Sequence, residues 1–344
     1  MNPLFRFLDS FSGKSILVVG DLMLDEYLWG HIERISPEAP VPVLNLIRRE
    51  SMLGGAGNVL RNLSSLGATV TAAGVVGQDS TGQQILELLD VLGANAQAVM
   101  TDRHRKSTRK TRLMSLEHGQ QVFRLDEESA QEIRGDVEDR LIEQIQAKAE
   151  DAHAILCSDY QKGLLTPRLL QAVFDSARRQ HIPAIVGPKD SNAAKYRGAT
   201  ILMPNAKELA QLVGTRVDGN DWLTDAAKRL VEMLDLEALV VTRGREGMCL
   251  FEPGLMGLRR VDVSTVAQSV YDVTGAGDTA IAAFALALAS GADRESAAQL
   301  ANFAAGIVVG KRGTASITVE EIRARLPEAS LNAPTQESSR PVKT

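Results

Sequence analysis

The chain has 344 residues, 44% of them hydrophobic and 24% charged, with a net charge of −5 at neutral pH. That balance supplies a large core and argues against nucleic acid as a partner, because the one basic stretch, residues 103–112, is short and mixed. Two cysteines and five scattered histidines offer no disulfide framework and no zinc spacing, and no apolar run reaches the roughly 20 residues that cross a bilayer, so a cytoplasmic protein with no membrane partner is the expectation.

Residues 15–20, Ser-Ile-Leu-Val-Val-Gly, are a short apolar run ending in glycine and read as a buried first strand. Helical spacing over 55–66 stops at Gly67, a strand follows over 70–76, and a helix over 82–92 is closed by Gly93. Residues 109–116 and 121–125 differ, alternating apolar and polar side chains around the turn 117–120, as in a hairpin with one wet face. Residues 41–47 alternate less cleanly and could join the same small sheet.

From Ser129 the rhythm becomes helix then strand: helix 132–148 with strand 154–158, and helix 167–179 with strand 184–186. Strand 200–203 then precedes helix 206–212, helix 224–234 leads to strand 238–242, and alanine-rich helices follow over 276–290 and 294–311. Strands apolar on both faces, alternating with helices, predict an α/β fold: a doubly wound, mostly parallel sheet. The expected organisation is one domain over 1–328, a β-sheet lid built from about 32–48 and 105–126, and a disordered polar tail over 329–344.

Four segments carry chemistry. In Asp272-Val-Thr-Gly-Ala-Gly-Asp278 two glycines allow a tight turn, and the helix that starts there directs unpaired amides at one spot. Gly275, Ala276 and Gly277 would form an anion hole beside Asp278, a carboxylate placed to accept a proton from a substrate hydroxyl; the competing reading is a helix cap. Gly54-Gly-Ala-Gly-Asn58 opens another helix without the Gly-Lys-Ser/Thr of a Walker loop or the spacing of a dinucleotide fingerprint. There Gly55 and Asn58 suit a polyhydroxyl ligand, as do Asp21 and Asp25 after the first strand. Asn205 and Glu208, three apart at a helix start, fit an outer-shell magnesium site or a capping box, and spacing alone favours the box. Thr242, Gly244 and Gly247 form a turn between strands that is either a plain hairpin or a nucleotide-phosphate loop.

Together these segments resemble the ribokinase-like carbohydrate kinases, whose signatures are Gly-Gly-x-x-x-Asn near the N-terminus, Asn-x-x-Glu, and Asp-Thr-x-Gly-Ala-Gly-Asp near the C-terminus. The resemblance spans roughly residues 12–326, with Val273 where threonine is most frequent. Residues 21–30, 34–43, 120–126 and 158–163 resemble, more narrowly, the D-glycero-β-D-manno-heptose 7-phosphate kinase group, without the His-x-Gly-His motif of the nucleotidyltransferase domain that follows in many relatives. One departure is Gly187, where that group usually carries aspartate in Asp-Pro-Lys-Gly.

The resemblance implies ATP and Mg2+ as cosubstrate and metal, with transfer to the C1 hydroxyl of a sugar phosphate on the route to lipopolysaccharide core precursors. It implies Asp278 as base and Asp21, Gly55 and Asn58 on the sugar. Thr242, Gly244 and Gly247 would lie along the nucleotide, and Asn205 and Glu208 in the outer shell of the metal. The 7-phosphate needs cations, for which Arg109, Lys110, Arg112, Lys162 and Lys189 are the candidates. Lids of this family often pair between subunits, so a homodimer is expected. Another ribokinase-like sugar kinase, or a sugar-phosphate sensor without catalysis, is the alternative.

Overall fold

The computed structural model describes residues 3–117, 119–217, 221–255, 257–265, 274–311 and 315–329. Asp272, Val273 and all but the first residue of the expected tail lie outside them. The chain runs α1 (Phe5–Asp9), β1 (Ser15–Gly20), β2 (Leu22–Ile35), β3 (Pro42–Gly55), α2 (Ala56–Ser65), β4 (Thr69–Gly77), α3 (Ser80–Val91) and β5 (Asn95–Asp102). It continues with β6 (Thr108–Ser115), β7 (Gln121–Glu127), α4 (Asp136–Ala149), β8 (Ala154–Ser158), α5 (Pro167–Gln180), β9 (Ala184–Gly187), β10 (Ile201–Leu202) and α6 (Ala206–Val213). Then come α7 (Trp222–Leu234), β11 (Ala238–Thr242), β12 (Met248–Gly254), β13 (Gly257–Val263), α8 (Ala276–Ala289), α9 (Arg294–Val308) and α10 (Val319–Ala329).

The main sheet has the order β13-β12-β11-β10-β9-β8-β1-β4-β5. It is parallel from β11 to β5, while β12 and β13 join antiparallel at one edge. Successive side chains of β1 show why helices cover both faces. Ile16 and Val18 pack into one core with α2, α8 and α9; Leu17 and Val19 pack into the other with α4, α5 and α7. A strand apolar on both faces is stable only between two helical layers, so the doubly wound expectation holds. Both cysteines are buried, and no helix among the described residues is long and apolar enough to cross a membrane.

The second sheet, in the order β3-β2-β6-β7, stands apart as the small sheet expected from the hairpin pattern. It reaches deeper than residues 32–48. β2 and β3 pair antiparallel all the way from Leu22–Gly55 to Ile35–Pro42, and β6 lies parallel to β2. The inner half of β2, Leu22 to Glu26, is buried and lacks the alternation of a wet strand, so its pattern did not mark it as strand. Asp25 therefore sits within a strand rather than in a loop after β1. The predicted helix over 132–148 starts only at Asp136, after Gly135 in the left-handed region (φ 57°).

Candidate active site

The site lies where the parallel strands end and α8 begins, the usual place for ligands in an open α/β sheet. Gly275, at φ 81°, turns the chain into α8, and its carbonyl accepts the first helical hydrogen bond, from the Thr279 amide at 3.0 Å. The first-turn amides before Thr279 have no intrahelical acceptor, so they and the helix dipole face outward together. Space beyond Gly277 is open, since a Cβ there would meet no atom within 4 Å.

Asp278 sits in this first turn with both carboxylate oxygens engaged. Tyr160 Oη donates to Oδ1 at 2.7 Å, and Asn58 Nδ2 donates to Oδ2 at 2.8 Å. Burial pushes its carboxyl up to about 6, against the pull of those two donors; nearby Asp25 raises it further and Lys189 lowers it. Asn58 lies in the first turn of α2, so the two glycine-rich segments, 220 residues apart, meet on one carboxylate. A second link runs deeper, from Thr279 Oγ1 to Asn62 Oδ1 at 2.9 Å.

A cavity of about 230 Å³ opens in front of this turn, lined among others by Gly275, Gly277, Asp278, Lys189, Asn205, Glu208 and Thr242. Ala276 is the first residue of α8, between two lining residues. Asn205 and Glu208 form the capping box: Oδ1 accepts from the Glu208 amide and Oε2 from the Asn205 amide, each at 2.9 Å. The other Glu208 oxygen, Oε1, lies 2.9 Å from Lys189 Nζ. Thr242 and Asn205 also line an adjoining cavity of about 480 Å³ together with Gly244 and Trp222. Gly247 lines neither cavity. It closes the turn after β11, its carbonyl accepting the Arg243 amide at 2.8 Å, at a φ of 83°.

At the opposite end, Asp21 is buried and its oxygens take backbone amides: Tyr160 at 2.8 Å and Lys162 at 3.1 Å on Oδ2, Leu164 at 3.3 Å on Oδ1. Burial raises its pKa. Asp21 thus anchors the loop 160–164. Gly55 has φ 57°, and a Cβ there would lie 2.6 Å from the Asp21 carbonyl, so the close turn from β3 into α2 requires glycine. The five candidate cations are all paired with acids. Arg112 Nη1 is 2.6 Å from Asp25 and Arg109 Nη2 is 2.5 Å from Glu127, while Lys110 lies between Asp126 and Glu128 and Lys162 Nζ is 2.7 Å from Glu128. The lid thus brings Lys110 and Lys162 onto one carboxylate, Glu128.

Residues 14–321 match the family model for pfkB family carbohydrate kinases. The chain belongs to that family. It is 47% identical over 306 residues to "Bifunctional protein HldE" of Geobacter sulfurreducens, covering 89% of this chain and 61% of that protein. It is 46% identical over 313 residues to the protein of the same name in Geotalea uraniireducens, covering 91% and 63%. The chain therefore spans about three fifths of the length of these relatives. In fold it is similar to Escherichia coli phosphofructokinase-2 in complex with potassium, at TM-score 0.76 and 21% identity over 92% of this chain and 99% of that one. It is likewise similar to Arabidopsis thaliana ribokinase complexed with ribose and ATP, at TM-score 0.71 and 21% identity over 90% and 98%.

The site also contains residues that spacing alone did not single out. Tyr160 links Asp278 to Asp21. Asp159 is buried under Tyr196 Oη at 2.5 Å and Lys195 Nζ at 2.8 Å, which fixes the end of β8. Their signal in the sequence was only the segment 158–163 within the resemblance. Gly187 ends β9 and lines the main cavity. Its φ is ordinary, and a Cβ there would meet the Ile281 Cδ1 methyl at 3.1 Å. Asp190 does not substitute for the missing carboxylate, because it turns to Lys195 Nζ at 3.0 Å. Among the described residues no three acidic or histidine side chains gather around a metal-sized space. The hard oxygens of Asn205 and Glu208 fit magnesium held through waters and phosphate groups rather than in an all-protein cage.

Proposed function

We propose that this chain phosphorylates the anomeric C1 hydroxyl of D-glycero-β-D-manno-heptose 7-phosphate with ATP, giving the 1,7-bisphosphate used for ADP-heptose and lipopolysaccharide core precursors. The observation that carries the reading is Asp278, a carboxylate of raised proton affinity at the mouth of an amide-rich helix turn. Asp278 takes the C1 proton as that oxygen bonds to the γ-phosphorus; the bond to the β-γ bridging oxygen breaks and ADP leaves. The amides of Gly275, Ala276 and Gly277 hold the charge that develops on the transferred group, an effect of about 3 kcal/mol per well-placed donor elsewhere. Magnesium, when bound, neutralises phosphate charge, with Asn205 and Glu208 holding its waters. Thr242 and Gly244 line the nucleotide, and Gly247 shapes their turn.

The heptose substrate rests on segments 21–30, 34–43, 120–126 and 158–163 and on the similarity to the HldE proteins. Asp21, Gly55 and Asn58 frame the sugar, while Arg112, Lys162 and Lys189 are the cations offered to its far phosphate, with Arg109 and Lys110 beside them. The lid sheet leaves Ile47, Phe123 and Leu125 exposed, and we place a homodimer contact there. A coupled ADP-release assay with magnesium tests the substrate: turnover with the heptose phosphate but not with ribose, fructose or fructose 6-phosphate is expected. Turnover with another sugar would keep the transfer chemistry and discard the heptose, and silence with all of them would favour a sensor.

A further inference from the structure

We propose that Tyr160 is a positioning residue that keeps Asp278 in its ionised form and couples the base to the sugar-side anchor Asp21; the proposal rests on reading Asp278 as the base. Tyr160 makes two bonds in different directions. Its hydroxyl donates to Asp278 Oδ1 at 2.7 Å, and its backbone amide donates to Asp21 Oδ2 at 2.8 Å.

The loop leaves this side chain little choice of position. On one side Asp159 Oδ1 accepts the Gln161 amide at 2.8 Å, while Tyr196 and Lys195 hold Oδ2. On the other side the Lys162 and Leu164 amides converge on Asp21. Between them Gln161 adopts φ 55°, a left-handed conformation that a residue with a side chain takes only where its surroundings impose it. The backbone is thus bent around two buried carboxylates, and the tyrosine ring is delivered to a third.

The chemistry gives this contact a role. A base partly withdrawn from water resists ionisation, and it stays useful near neutral pH only if donors offset that desolvation. The groups facing Asp278 are Tyr160 and Asn58, which donate to it, Asp25, which opposes ionisation, and Lys189, which favours it. Tyr160 itself is half-buried and faces Asp278, Asp25 and Glu208, so its own proton is held well above the ordinary phenol range and the hydroxyl remains a donor. Substrate entry then requires the C1 hydroxyl to share or replace one of the two donors on Asp278. Asn58 is buried in the first turn of α2 and Tyr160 is pinned through its backbone at Asp21, so neither donor is free to swing away.

The test is a titration of the protein labelled with [13C]carboxyl aspartate, read by NMR. Asp278→Asn assigns the Asp278 signal by its loss. In Tyr160→Phe, which keeps the ring and removes the donor, the Asp278 midpoint should rise by about one pH unit. The acidic limb of kcat should move by the same amount, with the KM for ATP little changed. A midpoint within about 0.2 unit of wild type would overturn the proposal whatever Asp278→Asn does to turnover. Turnover surviving in Asp278→Asn would instead remove the base reading alone, because the NMR midpoint still decides the contact. If Tyr160→Phe does not fold, site-specific 3,5-difluorotyrosine at position 160, a stronger donor of the same shape, should lower the midpoint. An unchanged midpoint there would count against the proposal equally.

Discussion

The Arg112 guanidinium lies 2.6 Å from Asp25 Oδ1 and 5.2 Å from the centre of the Tyr27 ring, so β6 is clamped to β2 at the inner end of the lid. Asp25 in turn packs directly over Gly54, where any Cβ would run into its carboxylate. Asp25 thereby ties Arg112 to Gly54, the first glycine of the N-terminal signature.

Replacing Arg112 with alanine should raise the KM for the sugar phosphate at least about tenfold, a loss of roughly 1.4 kcal/mol, while kcat changes much less. It also strips Asp25 of its partner, so stability in urea should fall by about 2 kcal/mol; Arg61, which also faces Asp25, softens the loss. Steady-state kinetics and a denaturation curve check both. An unchanged KM would remove Arg112 from the phosphate site.

Asp278→Asn should lower turnover by about 1,000-fold or more and make the protein more stable at pH 8. The folded carboxyl titrates at about 6 against 3.8 for an unperturbed aspartate, so the native state binds the extra proton between those values. The group's contribution to stability therefore falls as pH rises through that window and stays lost above it. The asparagine variant escapes this, by about 1–2 kcal/mol at pH 8 and by nothing below pH about 4. Thermal unfolding at the two pH values would reveal the crossover, and equal stability at both would contradict the raised proton affinity.

Glu208→Gln should raise the magnesium concentration for half-maximal turnover about 10–100-fold, the usual effect of losing an outer-shell partner. Lys189 loses its ion pair at the same time, and the weakened capping box should cost about 0.5 kcal/mol or less. A magnesium titration at saturating ATP checks this. An unchanged dependence would leave Glu208 as a cap alone.

Gly187→Asp should fold normally, with stability within about 1 kcal/mol of wild type, since the nearest obstacle is the end of the Ile281 side chain. The added carboxylate lines the same cavity as Asn205 and Glu208 and should lower the magnesium requirement. Calorimetry and the same titration decide it. A collapse in stability would mean that Ile281 cannot move aside.

Much of this was legible in the sequence, and the parts that were not share physical causes. The alternation of apolar strands with helices gave the sheet, because β1 and β8 bury both faces. β5 escaped notice because an edge strand such as Asn95–Asp102 carries a mixed, half-exposed pattern. Asp278, Asn205 and Glu208 could be picked out as candidates because each caps or lies in the first turn of a helix. Neither the Tyr160–Asp278 bond nor the Asn58–Asp278 bond could be read, because spans of 118 and 220 residues leave no spacing in the chain. Nor does composition reveal that every candidate cation already has an acidic partner.

The two sheets also differ in what they let the chain change. α8 is buried from Thr279 to Ala287 by alanines and larger apolar residues, so added volume over that stretch would have to displace a neighbour. The lid contributes no strand to the main sheet, and beyond its buried inner end at Leu22, Leu24 and Leu53 its side chains lie outside the core. Sequence can therefore drift in the outer parts of β2, β3, β6 and β7 while the packing around α8 stays fixed.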